Sequence, residues 1–339
     1  MKILLIKLSS LGDLIHVFPA LSDLQKHFPH VSVDWVVDES FKEVPAWHPA
    51  VRKVIPLGLR RLKKQGLFSL RSLKEFFAML KKLRFERYDL IIDAQGLYKS
   101  AVLALLARGK RVGLAKGSSR ENVAWLYQQS FPISFDQHAS ARVRTLFAEA
   151  LAYQYDPAVL DFKLGTWSGQ DSKNLVFIHA TTWATKHYPE EYWRDLAVMA
   201  TGRNWSVALP QVTTVDEARA LMITKDLDAE VLPKMSLTAL RDYLSGVRGF
   251  ISVDTGLAHI AAAMGVPGLV FYGPTNPKHI GTVGQNQEHL AVQFECAPCL
   301  LRQCNHPDRV HKPTPPCYRM LAPKIVWEKF NTLLSKTMS

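Results

Sequence analysis

The sequence has only four cysteines in 339 residues, and none precedes Cys296. A disulfide framework running through the fold is therefore excluded. No stretch approaches the roughly 20 consecutive apolar residues that a membrane-spanning helix needs. The amino-terminal run MKILLIKLSSLGDLIHV is broken by Lys7, Ser9, Ser10 and Asp13, and no small-residue cleavage site follows. It reads as a strand and a turn, not as a signal peptide, and a cytoplasmic protein is expected. The G-x-G-x-x-G dinucleotide fingerprint is missing. Asp-x-Asp occurs only at Asp226-Leu227-Asp228, at a predicted helix end, where it reads as solvated surface. Acidic residues are also short, 30 against 42 basic ones, for a net charge of +12. That excess points to a polyanionic partner: nucleic acid, an anionic membrane surface, or a phosphorylated lipid or sugar.

What is present is a globular composition, 47% apolar and 21% charged, in a chain long enough for two domains. The chain is organised around residues 250–273, FISVDTGLAHIAAAMGVPGLVFYG. Phe250 to Val253 is β-branched or aromatic and suits a buried parallel strand. Asp254-Thr255-Gly256 is a turn and N-cap cluster, Leu257 to Met264 a short apolar helix, and Leu269 to Tyr272 the next strand. The N–H groups and positive dipole end at such a helix start favour an anion such as a diphosphate. Asp254, Thr255 and His259 bring hydrogen-bonding groups to the same place. The plainer reading is an ordinary strand–helix–strand unit with a capping aspartate.

In the first half, Lys2 to Leu8 is a predicted strand. Ser9-Ser10-Leu11-Gly12-Asp13 is a turn into a helix over Leu14 to His27. Asp13 sits at a helix start, where the dipole favours its ionised form, and an ionised carboxylate in a cleft can accept a proton from a sugar hydroxyl. The plainer reading is that it only caps the first turn. Strands are expected at Val31–Val37, Val54–Pro56, Tyr88–Ala94 and Val112, and helices at Leu70–Arg87, Lys99–Ala107 and Ala139–Ala152. The 70–87 helix is basic and amphipathic; core packing accounts for its apolar face, and a membrane surface is a second use. Arg60, Arg61, Lys63 and Lys64 crowd one segment after a strand end. They are either a solvated face or a clamp for carboxylate and phosphate groups. Arg120 is a further candidate anion contact.

Residues 156–173 are turn-rich and read as a linker. In the second half, Leu175–His179 is a strand. Thr181, Thr182 and Lys186 follow in its end loop, a set that can hold a diphosphate and offset charge on its leaving oxygen. Further strands are expected at 206–209 and 230–232, and helices at 216–225, 237–246 and 321–334. Strands alternate with helices in both halves, so two doubly wound α/β domains are expected.

KLSSLGDLIHVFPAL, DWVVDE, LRRLKK, IIDAQGLYKSA, HATTWATKHYPEEYW, LPKMSL and SVDTGLAHI through FYGPTNP together resemble the ADP-heptose:lipopolysaccharide heptosyltransferase family, most of all its branch that adds the first inner-core heptose. The matching stretches run in order across almost the whole chain. The resemblance implies a GT-B fold: two Rossmann-like domains with parallel sheets facing across a cleft. Residues 1–155 would form the acceptor-binding domain and 174–320 the nucleotide-sugar domain. In such proteins a last helix, here within 321–339, can cross back to the first domain. The implied reaction is an inverting transfer of L-glycero-D-manno-heptose from ADP-heptose to Kdo of Kdo–lipid A, without a catalytic cofactor, at the cytoplasmic face of the inner membrane.

The resemblance also carries residue roles. Asp13 would be the general base, with Ser9, Ser10 and Gly12 of its turn on the acceptor side. Lys186, Thr181 and Thr182 would hold the diphosphate. Asp254, Thr255, Gly256 and His259 would bind the nucleotide sugar, with Glu217 and Met235 near the ribose and adenine. Arg60, Arg61, Lys63, Lys64 and Arg120 would meet the anionic acceptor.

Cys296, Cys299, Cys304 and Cys317 follow a C-x₂-C-x₄-C-x₁₂-C spacing that the first-heptose enzymes usually lack, whereas type II and protein-modifying heptosyltransferases carry a similar segment. Four thiolates so spaced suit a structural Zn or Fe site, with His306 and His311 as alternative ligands; reduced free thiols are a second reading and a disulfide pair, rare in the cytosol, a third. A type II or protein-modifying heptosyltransferase is thus an alternative within the family. A basic nucleic-acid- or phosphate-binding protein is the alternative from another class, but no aromatic-rich RNA-binding strand or helix-turn-helix supports it.

Overall fold

The computed structural model describes residues 1–58, 61, 70–308 and 314–337. The chain divides into two compact units, Met1–Leu164 and Gly165–Ser339.

The first unit holds a six-stranded sheet in the order β3-β2-β1-β4-β5-β6. Its strands are β1 Lys2–Ile6, β2 Ser32–Asp38, β3 Val51–Leu57, β4 Arg87–Asp93, β5 Arg108–Leu114 and β6 Gln129–Phe131. Every pairing is parallel. The central strands are unbroken apolar runs because helices cover both faces, leaving no polar side to alternate with. β1 shows this: Ile3, Leu4, Leu5 and Ile6 are all fully buried. On one face α3 (Leu70–Arg84) supplies Met79 and Leu83, and α4 (Tyr98–Leu106) supplies Leu103 and Ala104, against Leu4, Ile6 and Ile91. α1 (Leu11–Ile15), α2 (Phe18–His27) and α5 (Ala139–Leu151) complete the unit. The buried Arg144 of α5 ties that helix to Asp23 of α2 at 2.6 Å.

The helix expected over Leu14 to His27 is two helices, α1 and α2. Pro19 explains the break: it has no N–H to donate and is accommodated in the first turn of α2.

The second unit repeats the plan, with sheet order β12-β11-β10-β7-β8-β9 and parallel pairing throughout. Its strands are β7 Asn174–Ile178, β8 Ser206–Leu209, β9 Ala229–Val231, β10 Gly249–Val253, β11 Gly268–Tyr272 and β12 Gln287–Ala291. Its helices are α6 Glu190–Thr201, α7 Thr214–Thr224, α8 Leu237–Ser245, α9 Gly256–Ala263, the single turn α10 Pro277–Ile280, and α11 Pro323–Lys336. Gly268 is required by packing: a Cβ there would come within 2.1 Å of the Phe250 ring on the neighbouring strand. The last helix, α11, places Val326, Trp327, Phe330 and Leu334 in the core of the second unit with Trp193 and Phe271.

In each sheet the chain winds outward in both directions from one pair of strands, β1 and β4 in the first, β7 and β10 in the second. Loops leaving the carboxyl ends of such a pair diverge to opposite faces and open a crevice, the preferred ligand site of doubly wound sheets. The loops at issue are 7–13 and 93–97 in the first unit, and 179–189 and 254–256 in the second.

Candidate active site

In the second unit the two diverging loops meet through an ion pair. Lys186 Nζ lies 2.6 Å from Asp254 Oδ2, with both residues buried. Thr275, just past β11, donates its hydroxyl to the same oxygen at 2.6 Å. His259 Nε2 stands 3.9 Å from Asp254 Oδ1. Burial alone would raise the Asp254 pKa; the nearby His259 ring and the Lys186 ammonium outweigh it and hold the carboxyl at about 2. Asp254 is thus a fixed anion that orients the ammonium. The Thr181 hydroxyl reaches the Asp254 carbonyl at 3.4 Å, and Lys186 Nζ sits 4.8 Å over the Trp183 ring, which Arg302 also approaches at 5.3 Å. Thr255 caps α9 through its backbone without a side-chain hydrogen bond to the first turn. A buried cation therefore stands where backbone N–H groups open at a helix start, an arrangement that stabilises charge on a diphosphate.

In the first unit Asp13 lies in α1, where Oδ2 accepts from the Ser10 N–H at 2.8 Å and from the Ser10 hydroxyl at 2.6 Å. Asp13 does cap its turn, as the plainer reading had it, and it remains half-exposed at the carboxyl end of β1. The Ser9 turn is itself held by a residue with no role assigned from sequence. Gln95 Oε1 accepts the backbone N–H groups of Leu8, at 3.0 Å, and Ser9, at 3.3 Å. Gln95 is fixed in turn by Asp93, whose Oδ1 accepts the N–H groups of Gln95 and Gly96 at 2.9 and 3.1 Å. Gly96 has φ +66° and a Cβ there would lie 2.8 Å from Ser119 Cβ, so only glycine makes this turn without strain. Asp93 is fully buried; burial raises its pKa, and the hydroxyl of Tyr127, at 2.7 Å from Oδ2, and the two backbone donors oppose the rise. Lys7 is buried and donates to the Ala94 carbonyl at 3.1 Å.

Known proteins bear on this arrangement. Residues 76–309 match the model of glycosyltransferase family 9 (heptosyltransferase). Lipopolysaccharide heptosyltransferase 1 of Pseudomonas aeruginosa is 42% identical over 98% of both chains. That of Escherichia coli K12 is 41% identical over 85% of this chain and 92% of its own. The chain belongs to glycosyltransferase family 9. It is therefore a glycosyltransferase, a heptosyltransferase similar to the lipopolysaccharide heptosyltransferases 1. Among solved structures, the E. coli heptosyltransferase WaaC with ADP aligns with a TM-score of 0.87 at 35% identity, covering 98% of this chain and all of that one. The same protein with ADP-2-deoxy-2-fluoro heptose aligns at 0.84. The two parallel sheets are thus those of the GT-B fold. E. coli heptosyltransferase II, at 18% identity and a TM-score of 0.78, shares the fold.

Within this family frame the remaining sequence-predicted residues fall as follows. Glu217 is exposed in the first turn of α7, after β8, and Met235 is half-buried between β9 and α8. Both follow strands of the same sheet on the β8–β9 side of Lys186. Thr182 is exposed in the loop after β7. Arg61 is exposed and paired with Glu75 at 2.8 Å and Glu39 at 3.1 Å. Arg60, Lys63 and Lys64 lie outside the described residues. Arg120 is exposed, and its charge, after burial, lowers the pKa of Arg142, which the sequence reading missed. Arg142 is held by the Ser118 carbonyl and by the Phe135 ring, 4.2 Å from its guanidinium. It lies on a helix, and its approach to Arg120 depends on tertiary packing that the sequence pattern does not show.

Cys296, Cys299, Cys304 and Cys317 line one small cavity of about 20 Å³ together with His306. Burial, then the neighbouring sulfurs, pushes the Cys317 thiol up to about 12. Yet among the described residues no three His, Cys, Asp or Glu side chains are grouped so as to hold a metal ion. The spacing thus gathers the thiols without setting ligand geometry, and the Zn or Fe expected from it has no support here. His306 instead contacts Glu295 at 2.7 Å, and His311 lies outside the described residues.

Proposed function

We propose that this heptosyltransferase moves L-glycero-D-manno-heptose from ADP-heptose to Kdo of Kdo–lipid A, with inversion at the anomeric carbon. The observation that carries the reading is the Lys186–Asp254–Thr275 cluster beside the start of α9, a site suited to a diphosphate. The solved relatives named above hold ADP and a fluorinated ADP-heptose, which agrees with that ligand class.

The chemistry follows from the charges. A sugar hydroxyl ionises far above neutral pH, so a base must take its proton as the new C–O bond forms. Asp13 is the carboxylate proposed for this step; releasing Ser10 would free the oxygen that it now caps with. Attack from the face opposite the diphosphate breaks the anomeric C–O bond and leaves ADP with added negative charge on its β-phosphate. Lys186 and the N–H groups of α9 offset that charge. Thr181, Thr182, Thr255, Gly256 and His259 complete the donor contacts, and Glu217 and Met235 lie toward the ribose and adenine. Ser9, Ser10, Gly12, Arg60, Arg61, Lys63, Lys64 and Arg120, joined now by Arg142, are the residues proposed to bind the acceptor's carboxylate and phosphate groups. The reaction takes place at the cytoplasmic leaflet, to which the basic chain is drawn.

Purified protein mixed with ADP-heptose and Kdo–lipid A should release ADP in step with heptosylated lipid. The Asp13→Ala variant should keep its ADP-heptose affinity and lose transfer by about 10²–10⁴-fold, the usual reach of a general base. Near-normal turnover in that variant would remove Asp13 from the role.

A further inference from the structure

We propose that the outward face of α3 and α4 in the first unit is a docking surface for an anionic lipid bilayer. The proposal rests on the reading that the acceptor is lipid-linked, and adds which surface meets the lipid. α4 packs its inner face, Leu103 and Ala104, on the sheet, and turns Tyr98, Val102 and Leu105 outward at i, i+4 and i+7. α3 likewise buries Met79 and Leu83 and exposes Phe77. At the end of α3 the Arg84 guanidinium reaches the Leu106 carbonyl of α4 at 3.5 Å, and the exposed Phe85 follows, with Lys53 Nζ 5.4 Å from its ring. Trp125 stands in a short turn of 3-10 helix beside α4, whose Tyr98 hydroxyl donates to Asn122 at 3.4 Å. The six side chains are between 45% and 72% exposed.

The same face is cationic. Lys74, Lys81, Lys82 and Arg84 on α3, and Lys99 and Arg108 on and after α4, are all exposed. The acids nearby are already engaged: Glu86 with Lys2 and Arg52, Glu75 with Arg61, and Glu121 with the Tyr98 N–H. Aromatic and aliphatic tips set among long cationic stems are the composition of an interfacial helix layer, where the apolar tips enter the acyl boundary and the cations remain among headgroups. A nucleic acid would leave Val102 and Leu105 without a counterpart. A second copy of this face would set like charge against like.

The test is flotation of the full chain with vesicles that contain no acceptor. Binding should be at least about tenfold stronger to vesicles of phosphatidylglycerol and phosphatidylcholine than to phosphatidylcholine alone, and should fall as salt rises. The triple variant Phe85→Ser/Leu105→Ser/Trp125→Ser and the charge variant Lys81→Glu/Lys82→Glu/Lys99→Glu should each lose about tenfold or more of that binding. Both should transfer heptose to a soluble Kdo acceptor at the parental rate, which also reports correct folding. Parental vesicle binding by either variant overturns the proposal, as does a concentration-dependent dimer that the variants abolish while vesicle binding persists. Failure of transfer to the soluble acceptor by the parent would instead count against the proposed reaction and leave the vesicle result standing on its own.

Discussion

At the residue scale, the second unit depends on one carboxylate. Asp254 has its pKa lowered from 3.8 to about 2, although its burial alone would raise it. The sign of its contribution follows. Above pH 4 the group is ionised both folded and unfolded, and its full stabilisation is present. Between pH 4 and 2 the unfolded chain takes up the proton first, so stability falls as pH drops and the contribution is gone below about 2. At 1.36 kcal/mol per unit the loss is about 2 kcal/mol. Urea unfolding of the parent should therefore lose about 2 kcal/mol more than Asp254→Asn over that window. At neutral pH the larger effect is on the partner. Asp254→Ala leaves the buried Lys186 ammonium uncompensated and should cost about 3–5 kcal/mol, much of which Asp254→Ala/Lys186→Met should recover. A double variant no more stable than the single one would mean that Lys186 is well solvated once freed.

At the scale of elements, the turn after β1 keeps its shape because the turn after β4 holds it. Gln95 Oε1 accepts two N–H groups, from Leu8 and Ser9. If Asp13 is the base as proposed, Gln95 is a positioning residue for it, acting through the backbone. Gln95→Ala should lower kcat about tenfold or more while ADP-heptose KM stays within twofold, and Gln95→Glu, which keeps the accepting oxygen, should restore most of the rate. Equal falls in kcat for both variants would point to a merely structural disturbance. The sequence offered no sign of this link. Gln95 was visible as the residue after a strand, but its reach to Leu8 requires β1 and β4 to be neighbours, which is a matter of strand order. The same holds for Lys186 and Asp254, each expected at an anion site but not as partners. What was readable follows from burial on both faces: β1, β2, β4, β7, β10 and β11 are apolar enough to stand out. β6 (QSF) and β12 (QEHLA), at sheet edges, bury few side chains and carried no such run, so both were missed. β3 and β5 are longer than expected for the same reason, their polar ends being half-exposed.

At the scale of the whole molecule, the two units have separate sheets and separate cores, so unfolding need not be a single step. The candidate donor site is built from segments that follow β7, β8, β9, β10 and β11 of the second unit. ADP at about 100 times its dissociation constant should stabilise whatever it binds by about 2.7 kcal/mol. For a unit of this size that is a rise of about 5–10 °C in Tm. Calorimetry with and without ADP should show one transition moving by that amount and the other staying in place. The moving transition can be assigned by the fluorescence of Trp183, whose ring lies under the Lys186 ammonium and should respond to a bound diphosphate. Asp13→Ala should leave the shift intact, because the role proposed for Asp13 is to take the acceptor proton and not to bind the nucleotide. Lys186→Ala should remove most of it. If both transitions rise together, or if Asp13→Ala abolishes the shift, donor binding is not confined to the second unit and the division of labour proposed for Asp13 and Lys186 does not hold.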